Sequence, residues 1–197
     1  MESIVVLGAD RVGKTTVTGN TFRLLRGYGL NAMLAHFGAV SHKAHSPTQQ
    51  FTDFVRGVDT IGTDYLLFDR FVSDTLFYEP YRYQLPPIPV HCAREAESVL
   101  IEASERVDVV VIRHPWDESM AQRHRQEISK LWPGCSAYWL DAQLRKRKLE
   151  HEMYYEFTER YLRDDTLIPA SRIHYVDGDL YGDDYDLSYI DSLELKA

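Results

Sequence analysis

The sequence predicts an α/β fold, a parallel β-sheet with helices on both faces. Three observations lead there. Short apolar runs rich in β-branched residues recur along the chain, stretches with helical spacing separate them, and the first run ends in a glycine-bounded loop that opens a helix. Strands buried on both faces read as unbroken apolar runs, because crossover helices cover both sides of a parallel sheet.

The elements follow in order. Ile4, Val5, Val6 and Leu7 form the first strand and stop at Gly8. Val17, Thr21, Leu24, Leu25 and Tyr28 fall on one helical face, with Gly27 and Gly29 as the stop. Residues 32–37 read as a second strand, 38–50 as irregular and 51–58 as a short helix. Tyr65, Leu66, Leu67 and Phe68 make a third strand that ends at Asp69 and Arg70. Residues 79–90 hold Pro80, Pro86, Pro87 and Pro89 and so read as a loop. Ala93, Ala96, Val99, Leu100, Ala103 and Val107 define another helix face, and Val109, Val110, Val111 and Ile112 the fourth strand. A helix over 118–131, an extra strand over 136–140, a long helix marked by Leu149, Met153, Phe157 and Tyr161, and a last strand over 172–176 complete the reading. There is no internal repeat, so residues 1–197 form a single domain with an acidic tail from Asp177 onward that reads as poorly ordered.

Composition narrows the function. The net charge of −8 argues against broad, non-specific nucleic-acid binding, which needs a basic face, but leaves room for a local basic groove. No apolar run approaches the ~20 residues of a membrane span, and the start, Met1-Glu2-Ser3-Ile4, lacks the basic segment of a signal peptide. Two cysteines, Cys92 and Cys135, which form no paired motif, suit a reduced, cytoplasmic setting. His42, His45, His91 and Cys92 fit no zinc-ligand spacing.

The loop after the first strand carries the chemistry. Gly8, Gly13, Lys14 and Thr15 meet the spacing G-x-x-x-x-G-K-[ST] between a strand and a helix. Glycines let backbone N–H groups face a polyphosphate, and the helix beginning near Gly13 turns its positive end toward it. Lys14 supplies a point charge for the β- and γ-phosphates, and the Thr15 hydroxyl is a ligand for Mg²⁺. The ligand implied is ATP with Mg²⁺. Asp69 at the carboxyl end of the third strand can hold that metal, through water, or orient an attacking hydroxyl. Arg70 beside it has the bidentate fork that clamps an acceptor phosphate.

Two local patterns resemble one family. Gly8-Ala9-Asp10-Arg11-Val12-Gly13-Lys14-Thr15 is similar to the phosphate loop of thymidylate kinases that carry Asp-Arg inside the loop, and Asp69-Arg70-Phe71 resembles that family's D-R-[YFH] motif. The helix containing Glu156 to Leu162 before the last strand is a weaker likeness. The resemblance implies a P-loop NTPase three-layer sandwich, a five-stranded parallel sheet in the order 2-3-1-4-5, and transfer of the ATP γ-phosphate to dTMP, commonly by a homodimer. It implies that Gly8, Asp10, Arg11, Val12, Gly13, Lys14, Thr15 and Thr16 line the ATP phosphates, with Arg145 and Arg147 closing from a lid over 141–150. Lys14, Arg11, Asp69 and Arg70 would be the catalytic groups, Thr15 and Asp69 the metal ligands. Asp10 and Arg70 would bind the acceptor, while Phe37 and Tyr78 are candidates to stack on its base.

The chain departs from the pattern after the second strand. Where the family offers an arginine for the acceptor phosphate, this sequence reads His36-Phe37-Gly38-Ala39-Val40-Ser41-His42. The acceptor segment between strands two and three is also short. A rival reading is therefore a kinase for a hydroxyl on a modified base or end in nucleic acid, with Arg82 and the proline-rich loop assisting. A second rival, a nucleotide-binding switch with little turnover, lacks the N-K-x-D base reader, since Asn20 and Asn31 are the only asparagines.

Overall fold

The computed structural model describes residues 1–36, 47–59, 61–82 and 89–178. Phe37, the middle of the proline-rich segment and the acidic tail beyond Gly178 lie outside the described residues. Strands β1 (Glu2–Leu7), β2 (Ala32–His36), β3 (Tyr65–Asp69), β4 (Arg106–Arg113) and β5 (Ile173–Asp177) are all parallel and lie in the order β2-β3-β1-β4-β5. The order agrees with the expectation. In β1, Val5 and Leu7 enter one core and Ile4 and Val6 the other, the period-two alternation of a strand buried on both faces.

One face carries α2 (Pro47–Asp59), α4 (Val90–Ala103) and the end of α6 (Ala137–Asp164). Phe51 anchors this layer, its ring centroid 5.2 Å from that of Phe68 and 4.9 Å from that of Phe71. The other face carries α1 (Lys14–Gly27), with Val17 and Leu25 on Ile4, Leu67 and Val110. Met120 of α5 (Glu118–Leu131), Phe77 and Tyr78 of α3 (Val72–Arg82) and Tyr154 of α6 join that cluster. Among the described residues no helix is long and apolar enough to cross a membrane.

Several expectations differ from the structure. Residues 136–140 are not a strand: Ser136 accepts a hydrogen bond from the Trp139 backbone (3.2 Å) and caps α6, and the segment has no β-branched residue to favour a strand. Residues 141–150, expected as a lid, lie within α6, which runs unbroken through them. The buried face of α6 is turned from the one expected. Leu149 and Met153 are exposed, while Glu150, His151 and Tyr154 go inward because the site supplies partners for their polar atoms. Pro80 lies inside α3 rather than in a loop; contacts of Tyr78, Tyr81 and Arg82 on the residues around it hold the turn. Val107 belongs to β4, not to α4.

Phe51 is fully enclosed, so Phe51→Ala leaves a cavity between α2 and β3. Chemical denaturation is predicted to show a loss of ~3–5 kcal/mol. A loss below ~1 kcal/mol would show that this layer does not hold the sheet.

Candidate functional site

The site lies where β1, β3 and β4 end, at the carboxyl edge of the sheet. A loop leaving β1 and returning as α1 must turn tightly, and Gly8 makes the first bend. A Cβ there would sit 2.8 Å from Val12 Cγ2 and 3.1 Å from the Ile112 carbonyl, so no larger residue fits. The Gly8 N–H donates to the Tyr154 hydroxyl (3.1 Å), which in turn donates to Asp74 Oδ1 (2.5 Å). Helices α3 and α6 are thereby tied to the start of the loop. Burial raises the pKa of both Asp74 and Tyr154.

A cleft of about 480 Å³ opens over the loop, lined by Asp10, Arg11, Gly13, Lys14, Thr15, Thr16, His36, Asp69, Arg70 and Glu127. Thr15 Oγ1 donates to Asp69 Oδ2 (2.6 Å), and His36 Nδ1 lies 3.0 Å from the same oxygen. The other carboxylate oxygen, Asp69 Oδ1, is buried without a hydrogen-bond partner. A hydroxyl and a carboxylate with a spare oxygen are the hard donors that Mg²⁺ takes, so these residues fit the metal expected for them.

Lys14 is buried, and its Nζ donates to the Ala9 carbonyl (2.6 Å). Burial and the Arg70 charge pull its pKa down to about 8. Asp10 holds the opposite charge. Burial works against its carboxylate, but Arg70, Lys14 and Arg82 outweigh that and hold its pKa well below the usual range. Arg70 pairs with Asp10 Oδ1, and Arg82 reaches Asp10 Oδ2 (2.7 Å) while also pairing with Glu150 of α6. Arg147 lies 3.2 Å from Glu150 Oε2. The chain of charges Arg70–Asp10–Arg82–Glu150–Arg147 thus crosses from the end of β3 to α6.

Arg11 points the other way. Its guanidinium pairs with Glu127 of α5, and its carbonyl accepts from Arg123 (3.1 Å). Arg11 (φ 69°) and Arg70 (φ 81°) are the only described non-glycine residues with positive φ. That conformation is costly for a branchless-loop arginine and persists where surrounding contacts impose it.

Of the residues singled out in the sequence, Asp10, Arg11, Gly13, Lys14, Thr15, Thr16, Asp69 and Arg70 come together around this cleft. Gly8 and Val12 lie behind it and shape the turn. Tyr78 is a correction: it is buried, stacked on Tyr154 (5.5 Å) and faced by Arg70 and Arg82 at 5.1 and 4.6 Å, so its ring is a floor for guanidinium groups and not a base platform. Arg145 lies on the solvent face of α6, outside the residues that line the cleft, and Arg147 sits on the Asp10–Glu150 side of the loop. Sequence reasoning missed Asp74, Tyr154, Glu150, His124 and Glu127. Only Asp74 had a local signal, four residues after Arg70 on the helix opened by that motif.

Sheet order, strand-to-helix phosphate loop and strand-end carboxylate define a nucleoside-triphosphate-binding α/β fold of the P-loop type. Comparison with solved structures finds the same fold in a kinase. Polyphosphate kinase 2 from Arthrobacter aurescens TC1 superposes with a TM-score of 0.53 over 97% of this chain and 74% of its own, at 12% identity. Thymidylate kinase from Ehrlichia chaffeensis matches with a TM-score of 0.45 over 98% of each chain, at 13% identity. No protein-family model matches the sequence, and neither does any curated protein.

The histidines beside the loop yield a test of this architecture. Burial lowers the pKa of His124 to about 4 and also lowers that of His151, so both are neutral imidazoles in the fold. The unfolded chain then binds more protons than the native one between about pH 4 and 6.5. Stability is predicted to be full above pH 6.5 and to fall as the pH drops toward 4, with a shallower fall in His124→Asn. Denaturation midpoints across that range check it, and parallel curves for the two proteins would contradict the assignment.

Proposed function

We propose that the protein is an ATP-dependent phosphotransferase whose acceptor is a nucleoside monophosphate of the dTMP type. The observation that carries this reading is the Thr15–Asp69 hydrogen bond of 2.6 Å, which joins the phosphate loop to the strand-end carboxylate at the floor of a cleft that Arg70 also lines. ATP phosphates would lie on the backbone N–H groups of Gly13 to Thr16, with the Lys14 ammonium turning from the Ala9 carbonyl onto them. Thr15 and Asp69 would hold Mg²⁺, which when bound neutralises charge on the phosphates. Arg11 would leave Glu127 and stabilise the transferring phosphoryl group. Arg70 and Arg82, preset by Asp10 and Tyr78, would hold the acceptor phosphate on the opposite side. Such a reaction needs positioning and electrostatics more than covalent chemistry.

A second reading has one observation behind it. At the end of β2, where an arginine would strengthen an acceptor-phosphate clamp, His36 stands against Asp69. An acceptor with a bare hydroxyl, on a nucleoside or a modified base, makes less use of such a clamp and more of polar groups that orient the attacking oxygen.

Transfer of labelled γ-phosphate from ATP to dTMP, other monophosphates, nucleosides and oligonucleotides with modified bases separates the readings. Lys14→Ala is predicted to lose at least ~10²-fold in kcat with the fold intact, and Arg11→Ala to lose kcat with little change in ATP affinity, the mark of a contact made in the transition state. Equal loss of ATP binding in Arg11→Ala would remove that role. Transfer to no acceptor by the parent protein would remove the reading.

A further inference from the structure

The tip of the α5–α6 hairpin takes no part in the site, yet it is the most aromatic exposed surface of the described chain. Leu131 is 57% exposed, Trp132 48% and Tyr138 80%. Trp132 meets Trp139 edge-on, with ring centroids 5.4 Å apart, which stiffens the tip without burying it. Side chains that only close a helical hairpin would be polar here.

From Arg123 to Lys148 seven Lys or Arg stand against two Asp or Glu, in a chain of net charge −8. Arg125, Arg147 and Lys148 are paired with Asp141, Glu150 and Glu152, and Arg123 donates to the Arg11 carbonyl, so the cations offered near the tip are Lys130, Arg145 and Lys146. Lys130, Arg145 and Lys146 are exposed. Tyr138, Arg145 and Leu149 repeat at intervals of seven and four and so share one outward stripe of α6. From Tyr138 to Leu149 that stripe runs for about 16 Å along the helix axis.

We propose that this hairpin is a binding surface for single-stranded nucleic acid, with Trp132 and Tyr138 stacking on bases and the flanking cations following the phosphates. Charge selects this occupant. A second copy of the chain in a symmetric dimer would set the same cations against one another. A membrane surface would want an apolar helix face, and the apolar face of α6 is already spent on the core. Binding by the hairpin stands on its own evidence and does not depend on the phosphotransfer reading.

The experiment is fluorescence anisotropy of a labelled oligothymidylate of about 20 nucleotides with the full chain, without ATP, across a salt series. Binding in the ~1–100 µM range that weakens linearly in log–log salt is expected. Trp132→Ala with Tyr138→Ala should weaken it by ~10–100-fold, and Lys130→Glu with Lys146→Glu should weaken it and flatten the salt dependence. Thermal melting and Mg·ATP affinity should match the parent in both variants, which separates a lost surface from a lost fold. Absence of salt-sensitive binding, or binding untouched by either variant, overturns the proposal. So does tighter binding to anionic phosphatidylserine vesicles, or a dimer in sedimentation that Trp132→Ala dissolves. If ATP fails to bind but the oligonucleotide does, the surface stands and the phosphotransfer reading falls.

Discussion

The pairing of the half-buried Asp10 carboxylate is the constraint on which the site depends. A charge in a loop packed under two helices is costly unless it is paired and hydrogen-bonded. Arg70 and Arg82 meet that need from two directions, and each brings an element with it: the end of β3 through Arg70, the end of α3 through Arg82. Arg82 in turn takes the buried Glu150 of α6, which also holds Arg147. The depressed pKa of Asp10 and the raised one of Arg70 are two views of the same pairing. Removing one partner would leave the others without their counter-charges, so the network behaves as a unit and single substitutions in it will not add.

Helix α6 is the strut of this arrangement. Tyr154 reaches the first N–H of the phosphate loop, and Tyr155 and His151 reach the carbonyls of Ile112 and His114 where β4 ends. Its far half closes the opposite core through Tyr161, whose hydroxyl donates to the buried Glu97 of α4 (2.9 Å). One helix thus spans from the charge network to the hydrophobic layer. That explains why its buried face carries hydroxyls, imidazoles and a carboxylate where a purely packing helix would carry leucines.

Much of this was legible in the sequence, for physical reasons. The central strands β1, β3 and β4 were readable because each is buried on both faces and so carries an unbroken apolar run. The phosphate loop was readable because only glycine fits at Gly8, where a Cβ would strike Val12 and the Ile112 carbonyl. Asp69 and Arg70 were readable because an acid and a base ending an apolar strand need a purpose. What stayed hidden was decided by long-range partners. The phase of α6 was misread because Leu149 and Met153 look like core residues, whereas Glu150 and Tyr154 are drawn inward by Arg82, Asp74 and Gly8. Tyr78 looked like a base platform until Arg70 and Arg82 were found against its ring. Pro80 looked like a helix breaker because propensity cannot see the contacts that hold α3 around it. For α6 the deciding partners lie more than 60 residues away, beyond the reach of any local pattern.

The central claim is that the loop is preset, by a buried lysine among opposing charges, to receive a polyphosphate. The Lys14 pKa of about 8 makes this measurable. Anionic phosphates would draw its amine back to the ammonium form, so binding at about pH 8.5 should take up a proton, and affinity should fall as the pH rises through about 8. Calorimetric titration of Mg·ATP in buffers of different ionisation enthalpy reads that uptake directly. The account predicts a fraction of a proton taken up by the parent protein and none by Lys14→Met. Saturable binding with no uptake, or uptake that survives in Lys14→Met, would contradict it, and so would the absence of binding.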